Sequence, residues 1–367
     1  MKYFLTFVRI VVGVLFIFSG LIKANDPLGL SYKMQEFFEV WNLTFLNDAT
    51  LVFSILMIAF EIIAGVAVLL GWKFELFSWL LFLLIIFFTF LTGYAVLSGK
   101  IKECGCFGDC IKLTANQSFA KDLVLFVLIG LLLLKRKSIR SYFSTLISIV
   151  LLSLVTIGSF GMQIYVLGHL PYIDCLPYKK GNDIQEGMKA PKGSIPDSTV
   201  INFVYLKQGK EVEFDTDHFP TDFNDSLYTF VKRYDKLIRE GNAKPPIKDF
   251  VINTADGNDT TQAILNDPRE MMVLFVKTMD NHDQWLLDFK TVASTLQQQG
   301  RPIIVVTSDF DKAQEVFTAS SISLPIYKGD AVAIKTAARS TPTLYKIQQG
   351  VILNKWGRLD LKSSIGN

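Results

Sequence analysis

Five stretches of mostly apolar residues, each near the roughly 20 residues that a helix needs to cross a hydrocarbon core, commit the first half of this chain to a lipid bilayer. They cover Phe4–Ile22, Leu51–Gly71, Phe77–Leu97, roughly Ser118–Leu134 and Tyr142–Leu167. The fourth is the weakest, because Lys121 and Asp122 shorten its uninterrupted run to Leu123–Leu134. Lys121 near a helix end is expected to snorkel to the interface, as is Lys23 at the end of the first span. Lys2 and Arg9 before the first apolar run resemble a signal peptide, but Ile22-Lys23-Ala24 is a poor small-residue cleavage site, so this span is expected to be retained. With 50% hydrophobic residues among 367 and a mean hydropathy of +0.34, the chain is too apolar for an ordinary soluble protein.

Orientation rests on Lys135, Arg136, Lys137 and Arg140, packed into the short loop before the fifth span. The positive-inside rule assigns that loop to the cytoplasm. Lys100, Lys102, Lys112 and Lys121 then fall on the other side, diluted along a longer loop that also holds Glu103 and Asp109. By parity, residues near 99 to 117 and everything after about 168 are expected outside the cytoplasm, anchored in the inner membrane, where disulfides persist. The formal charge of +3 has no basic face behind it, so no nucleic-acid partner is expected.

Four cysteines occur, and three of them lie within seven residues. The segment reads Lys102-Glu103-Cys104-Gly105-Cys106-Phe107-Gly108-Asp109-Cys110, with glycines as permissive joints. Cys175 follows the fifth span by a few residues, on the same expected face, so Cys110 and Cys175 can meet across it. Two uses of these residues stand open: thiol-disulfide exchange at Cys104 and Cys106 with Cys110–Cys175 as a second pair or relay, or purely structural disulfides that pin the loops. A metal site with His169 is not expected, since C-x-C-x3-C is not the usual zinc spacing. Glu61 lies halfway down an apolar span, where an ionisable group is a functional candidate by default, set against a structural, hydrogen-bonded acid. No nucleotide loop, haem-attachment CxxCH or HExxH occurs, so no soluble cofactor is indicated; a quinone near Glu61 is compatible with the sequence.

CGCFG between apolar helices resembles the MauE (methylamine utilisation) branch of the DoxX-type membrane proteins. Phe18-Ser19-Gly20-Leu21-Ile22-Lys23-Ala24-Asn25-Asp26-Pro27 is similar to that group's SG-x-x-K-x-x-DP ending, and Glu61 with Gly65 and Gly71 fits its acid-then-glycine pattern. The likeness covers about residues 1 to 165. It implies redox or disulfide-linked maturation of extracytoplasmic proteins, with Cys104 and Cys106 as the motif cysteines.

The second half reads as water-soluble. Val200–Leu206 and Glu211–Phe214 flank a hairpin signal at Lys207-Gln208-Gly209-Lys210. Leu227, Phe230, Val231 and Tyr234 recur at helical spacing, which predicts a helix over about Asp225–Arg239, ended by Gly241. From about Ile247 strands and helices alternate: strand Met271–Val276, helix Gln284–Gln299, strand Pro302–Thr307, helix Asp311–Ala319, and a hairpin of Leu344–Ile347 with Val351–Lys355. Thr341-Pro342-Thr343-Leu344-Tyr345 before that hairpin resembles the C-terminal half of a thioredoxin fold, which implies a cis bond at Pro342. That family's redox pair belongs just after the Met271 strand, where Thr278-Met279-Asp280-Asn281-His282-Asp283 stands and no cysteine is present. His282 in that turn reads as helix-start polarity rather than catalysis.

The expected architecture is therefore a membrane all-α helical bundle over 1–168, an extracytoplasmic connector with hairpin and helix over 169–246, and an α/β thioredoxin-like domain without CxxC over 247–367. The expected function is a redox-linked membrane protein acting on an extracytoplasmic protein partner. The alternative is a non-catalytic scaffold whose thioredoxin-like domain recruits that partner. Thiol lability separates the two.

Overall fold

A computed structural model describes residues 2–366 apart from 102–104, 106, 225 and 240. The N-terminal region is built from α1 (Lys2–Ala24), α2 (Pro27–Val40), α3 (Thr50–Leu70), α4 (Phe74–Ser98), α5 (Ala115–Leu134) and α6 (Thr145–Gly168). Among the described residues, five helices are long and apolar enough to cross a membrane: all of these except α2, with a 3-10 turn from Thr44 extending α3. Small residues let the backbones of α1 and α3 approach closely, since a Cβ on Gly65 would lie 2.9 Å from the Gly13 carbonyl oxygen. Leu97, Leu134, Leu146 and Ile157 point outward and are exposed, as lipid-facing side chains are.

Local capping sets the helix boundaries. Helix α5 begins at Ala115, earlier than its apolar run suggests, because Thr114 and Gln117 form a capping box. Helix α6 waits for the Ser144 hydroxyl, which accepts from the Ile147 amide. The amphipathic α2 escaped the sequence reading although its start signal is plain: Asp26 accepts from the Gly29 amide and Pro27 occupies the first turn.

After a short α7 (Ile184–Gly187), strands β1 (Ser198–Lys207), β2 (Lys210–Asp215) and β3 (Tyr228–Arg239) form an antiparallel sheet in the order β2-β1-β3. The helix expected over Asp225–Arg239 is thus a strand. Its apolar residues carry helical spacing, but they do not line a buried face: Phe230, Val231, Tyr234, Leu237 and Ile238 are all exposed. The segment is rich in aromatic and branched side chains, and pairing along β1 satisfies the backbone on one edge of the strand, so tertiary context overrides the pattern.

The remainder contributes β4 (Ile252–Asn253), α8 (Thr261–Leu265), β5 (Met271–Val276), α9 (Leu286–Gln298), β6 (Ile303–Thr307), α10 (Phe310–Ala319), β7 (Ile326–Gly329), α11 (Ala331–Ala337), β8 (Thr343–Gln348) and β9 (Val351–Trp356). The sheet order is β4-β7-β6-β5-β8-β9, with β5, β6 and β7 parallel and β8 antiparallel to β5. Strand β5 is apolar throughout because it is buried on both faces: Val273 and Phe275 join Tyr178, Ile184 and Tyr345, while Leu274 and Val276 join Trp285, Phe289 and Phe317. Tyr178 and Ile184 precede the β1 sheet in sequence yet belong to this core.

The two regions are tied by several contacts at one end of the bundle. Asn25 exchanges two hydrogen bonds with the backbone of Ile173 (2.8 and 3.0 Å), and the Ser340 hydroxyl donates to the Leu167 carbonyl at 3.2 Å. His169 Nδ1 lies 2.8 Å from Asp360 Oδ1. Gly357 packs directly on the His169 carbonyl, where no side chain fits. The basic loop lies at the opposite end, where Arg9 donates to the Arg140 carbonyl and the Tyr142 amide to the Leu70 carbonyl.

Candidate functional site

The described residues of the cysteine segment, Gly105 and Phe107–Cys110, lie at the end of the bundle that carries the mixed α/β domain. Cys104 and Cys106 lie outside the described residues. Around them, Gly105 (φ 66°) and Gly108 (φ 56°) both adopt left-handed backbone, a conformation that glycine takes without steric cost. Phe107 packs against Phe18 of α1, with ring centroids 5.9 Å apart. Cys110 and Cys175 are joined by a disulfide spanning 65 residues, and Cys110 is exposed.

An electrostatic latch sits beside that disulfide. Arg339 Nη2 donates to Asp109 Oδ2 at 2.6 Å, and its Nε lies 2.9 Å from Asp26 Oδ2. The guanidinium is 5.3 Å from the Tyr32 ring centroid. One cation facing two carboxylates leaves a negative cluster, and burial adds to its appetite for protons. Burial pushes the Asp26 carboxyl above its ordinary range, with Asp109 adding to the shift and Arg339 opposing it. Burial pulls the Arg339 guanidinium down, but Asp26, Asp109 and Tyr32 more than offset this and hold it above its ordinary value. Burial likewise raises the Tyr32 hydroxyl to about 12. Arg339 lies three residues before Pro342, whose peptide bond with Thr341 is cis.

Deeper in the bundle, Glu61 is fully buried and accepts from Lys23 Nζ at 2.6 Å on one oxygen and from the Ser19 hydroxyl at 3.1 Å on the other. The expectation that Lys23 snorkels to the interface is overturned: its side chain is 3% exposed and folds back along α1 toward α3. The reason is that Glu61 lies within reach of Lys23, and a carboxylate left without a cation there costs more than the lost hydration of the ammonium. A second acid, Asp122, is also fully buried. It accepts from Thr92 at 3.0 Å, with Lys121 Nζ 2.9 Å away.

Beside these polar groups the bundle holds a cavity of about 460 Å³, lined mainly by apolar and aromatic side chains together with Ser19, Lys23, Lys33, Thr92, Lys121, Asp122 and Gly105. Among the described residues no group of three or more His, Cys, Asp or Glu could hold a metal ion. His282, in the turn after β5, gives its Nδ1 to the Met279 carbonyl at 2.9 Å.

Sequence reasoning singled out Glu61, Cys110, Cys175 and Pro342, but it missed Arg339, Asp26, Asp109, Asp122 and Thr92 as members of clusters. Asp26 had a local signal in its Asp-Pro capping pair. Arg339 had none, because its partners lie more than 200 residues away in the chain.

Fold and site together define a multi-pass membrane protein, with five candidate spans, carrying a mixed α/β domain at one end of the bundle. Residues 1–135 match the family model described as Methylamine utilisation protein MauE, which ends before the fifth span, and residues 199–240, the β1–β3 sheet, match a Domain of unknown function (DUF8463). No curated protein and no solved structure matches the chain.

Proposed function

We propose that this protein is a thiol-disulfide redox protein of the inner membrane that acts at the extracytoplasmic face, with Cys104 and Cys106 as the exchanging pair and an extracytoplasmic protein as its client. The observation that carries the reading is the placement of the cysteine segment: its described residues Gly105 and Phe107 line a membrane-embedded cavity, and its end is fastened by Cys110–Cys175 and by Arg339. A segment fastened at one end beside a largely apolar cavity suits controlled exchange better than a free loop does. The name of the matching family suggests that the client takes part in methylamine utilisation.

The basic loop at 135–140 supports a cytoplasmic position for its end of the bundle and, by parity, an extracytoplasmic one for the α/β domain. The strand order around β5, with Pro342 just before β8, supports a thioredoxin-like reading of that domain. Without cysteines after β5 it cannot exchange thiols by itself, so its role is to hold the cysteine segment and present it to the client. Substituting Cys104 or Cys106 singly with Ser, and separating membrane proteins without reductant, should trap a mixed disulfide with the client. Absence of any such adduct in both variants counts against exchange. A second reading, a scaffold whose cysteines are structural, is favoured by the disulfide Cys110–Cys175, which already bridges the two regions.

A further inference from the structure

We infer that the cavity in the helical bundle binds the headgroup of a lipid-soluble quinone. Its volume of about 460 Å³ falls in the range of small-molecule sites, roughly 300–1,000 Å³. Its lining comes from α1, α2, α3, α4 and α5 together with Gly105 and Phe107 of the cysteine segment, so it lies within the part of the chain built to sit in lipid. An acyl chain would fill the apolar part but would have no use for the polar wall. Three groups of that wall are buried: Lys23 is 3% exposed, Thr92 1% and Asp122 not at all. Buried polar side chains on an otherwise apolar lining fix the orientation of a ligand that has polar atoms of its own.

The required ligand therefore has an apolar body, a flat ring and a few oxygens. Phe37, Trp41, Phe88 and Phe107 offer aromatic faces and edges for the ring. The ammonium of Lys23 and the hydroxyl of Thr92 suit carbonyl oxygens, and the carboxylate of Asp122 suits the hydroxyl that forms on reduction. Gly105 lines the same cavity, and its covalent neighbours in the chain are Cys104 and Cys106.

On the redox reading above, on which this assignment of chemistry rests, the step balances without a further reagent. The two thiols of Cys104 and Cys106 lose two electrons and two protons and form one S–S bond. The electrons reduce the quinone, and the protons end on its two ring oxygens to give the quinol. A client dithiol then returns the cysteines to the reduced state by exchange.

The test uses the full chain in lipid nanodiscs and separates binding from chemistry. Short-chain ubiquinone titrated against the variant with Cys104→Ser and Cys106→Ser should quench tryptophan fluorescence saturably, and Trp41→Phe should remove the saturable part. The paired variant Lys23→Met with Glu61→Leu should weaken binding about tenfold, the effect of losing roughly one hydrogen bond to a charged group. Thr92→Val, which preserves shape, should weaken it by a smaller factor and guards against misfolding of the pair. With intact cysteines, dithiothreitol should reduce the quinone at a rate that Cys104→Ser abolishes. Saturable binding without this turnover upholds the site and removes the redox reading. Quenching that never saturates, with an acyl chain only recovered from the purified protein, overturns the site itself.

Discussion

Arg339 reaches across 230 residues of chain to place its Nη2 2.6 Å from Oδ2 of Asp109, the residue bonded to Cys110. This one contact couples the loop before β8 of the α/β domain to the end of the cysteine segment in the bundle. Because Arg339 is 7% exposed, its removal leaves two carboxylates facing each other in a buried site. Arg339→Met is expected to destabilise the protein by about 3 kcal/mol. Adding Asp26→Asn should recover part of that loss. Thermal unfolding in detergent reads both, and an Arg339→Met variant as stable as the parent would remove the latch from the account.

The same cluster gives a pH dependence with a definite sign. Asp26 holds its proton above the ordinary value of 3.8, so just above that value the folded state binds more protons than the unfolded one. The stability it contributes is full below 3.8 and is lost as pH rises through the raised folded value. Asp26→Asn keeps the side-chain oxygen that caps α2. The difference in stability between parent and variant should therefore decline with rising pH across this window, and a difference that grows contradicts the burial argument.

Lys23 and Glu61 form a pair whose partners depend on each other. Lys23→Met alone strands a fully buried carboxylate and should cost about 3 kcal/mol. Lys23→Met together with Glu61→Met should cost much less, because no unpaired charge remains. Denaturant unfolding of the single and double variants gives the coupling directly; equal losses in both would show that the pair is not what stabilises this region.

Gly357 packs against the backbone of His169, the residue that caps the C-terminus of α6. A methyl group there would overlap the His169 carbonyl oxygen, and backbone on both sides leaves little room to yield. Gly357→Ala should cost about 2 kcal/mol or more. It should also raise protease sensitivity around 169–176, with the bundle left intact.

The spans were legible in sequence because each is a long apolar run, and β5 because burial on both faces makes it continuous. The strand β3 was misread because its apolar residues follow a helical spacing without a core behind them, so periodicity carried no information about burial. Lys23 was misread for a related reason. Snorkelling is the default for a lysine at a helix end, and only the position of Glu61 on a neighbouring helix reverses it. Of the candidate site, Cys110, Cys175, Glu61 and Pro342 could be picked out by type and position. The Arg339 latch and the Thr92–Asp122 contact come from pairings of distant segments, which a single sequence does not reveal.

The central claim is that Cys104 and Cys106 exchange while Cys110–Cys175 holds the segment in place. The most direct measurement is thiol trapping of each cysteine in intact cells, before and after mild reduction, followed by peptide mapping. The account predicts that Cys104 and Cys106 change labelling with mild reductant, while Cys110 and Cys175 stay linked to each other until the protein is unfolded. Four cysteines that all resist mild reduction, or a link from Cys175 to Cys104 or Cys106, would contradict it.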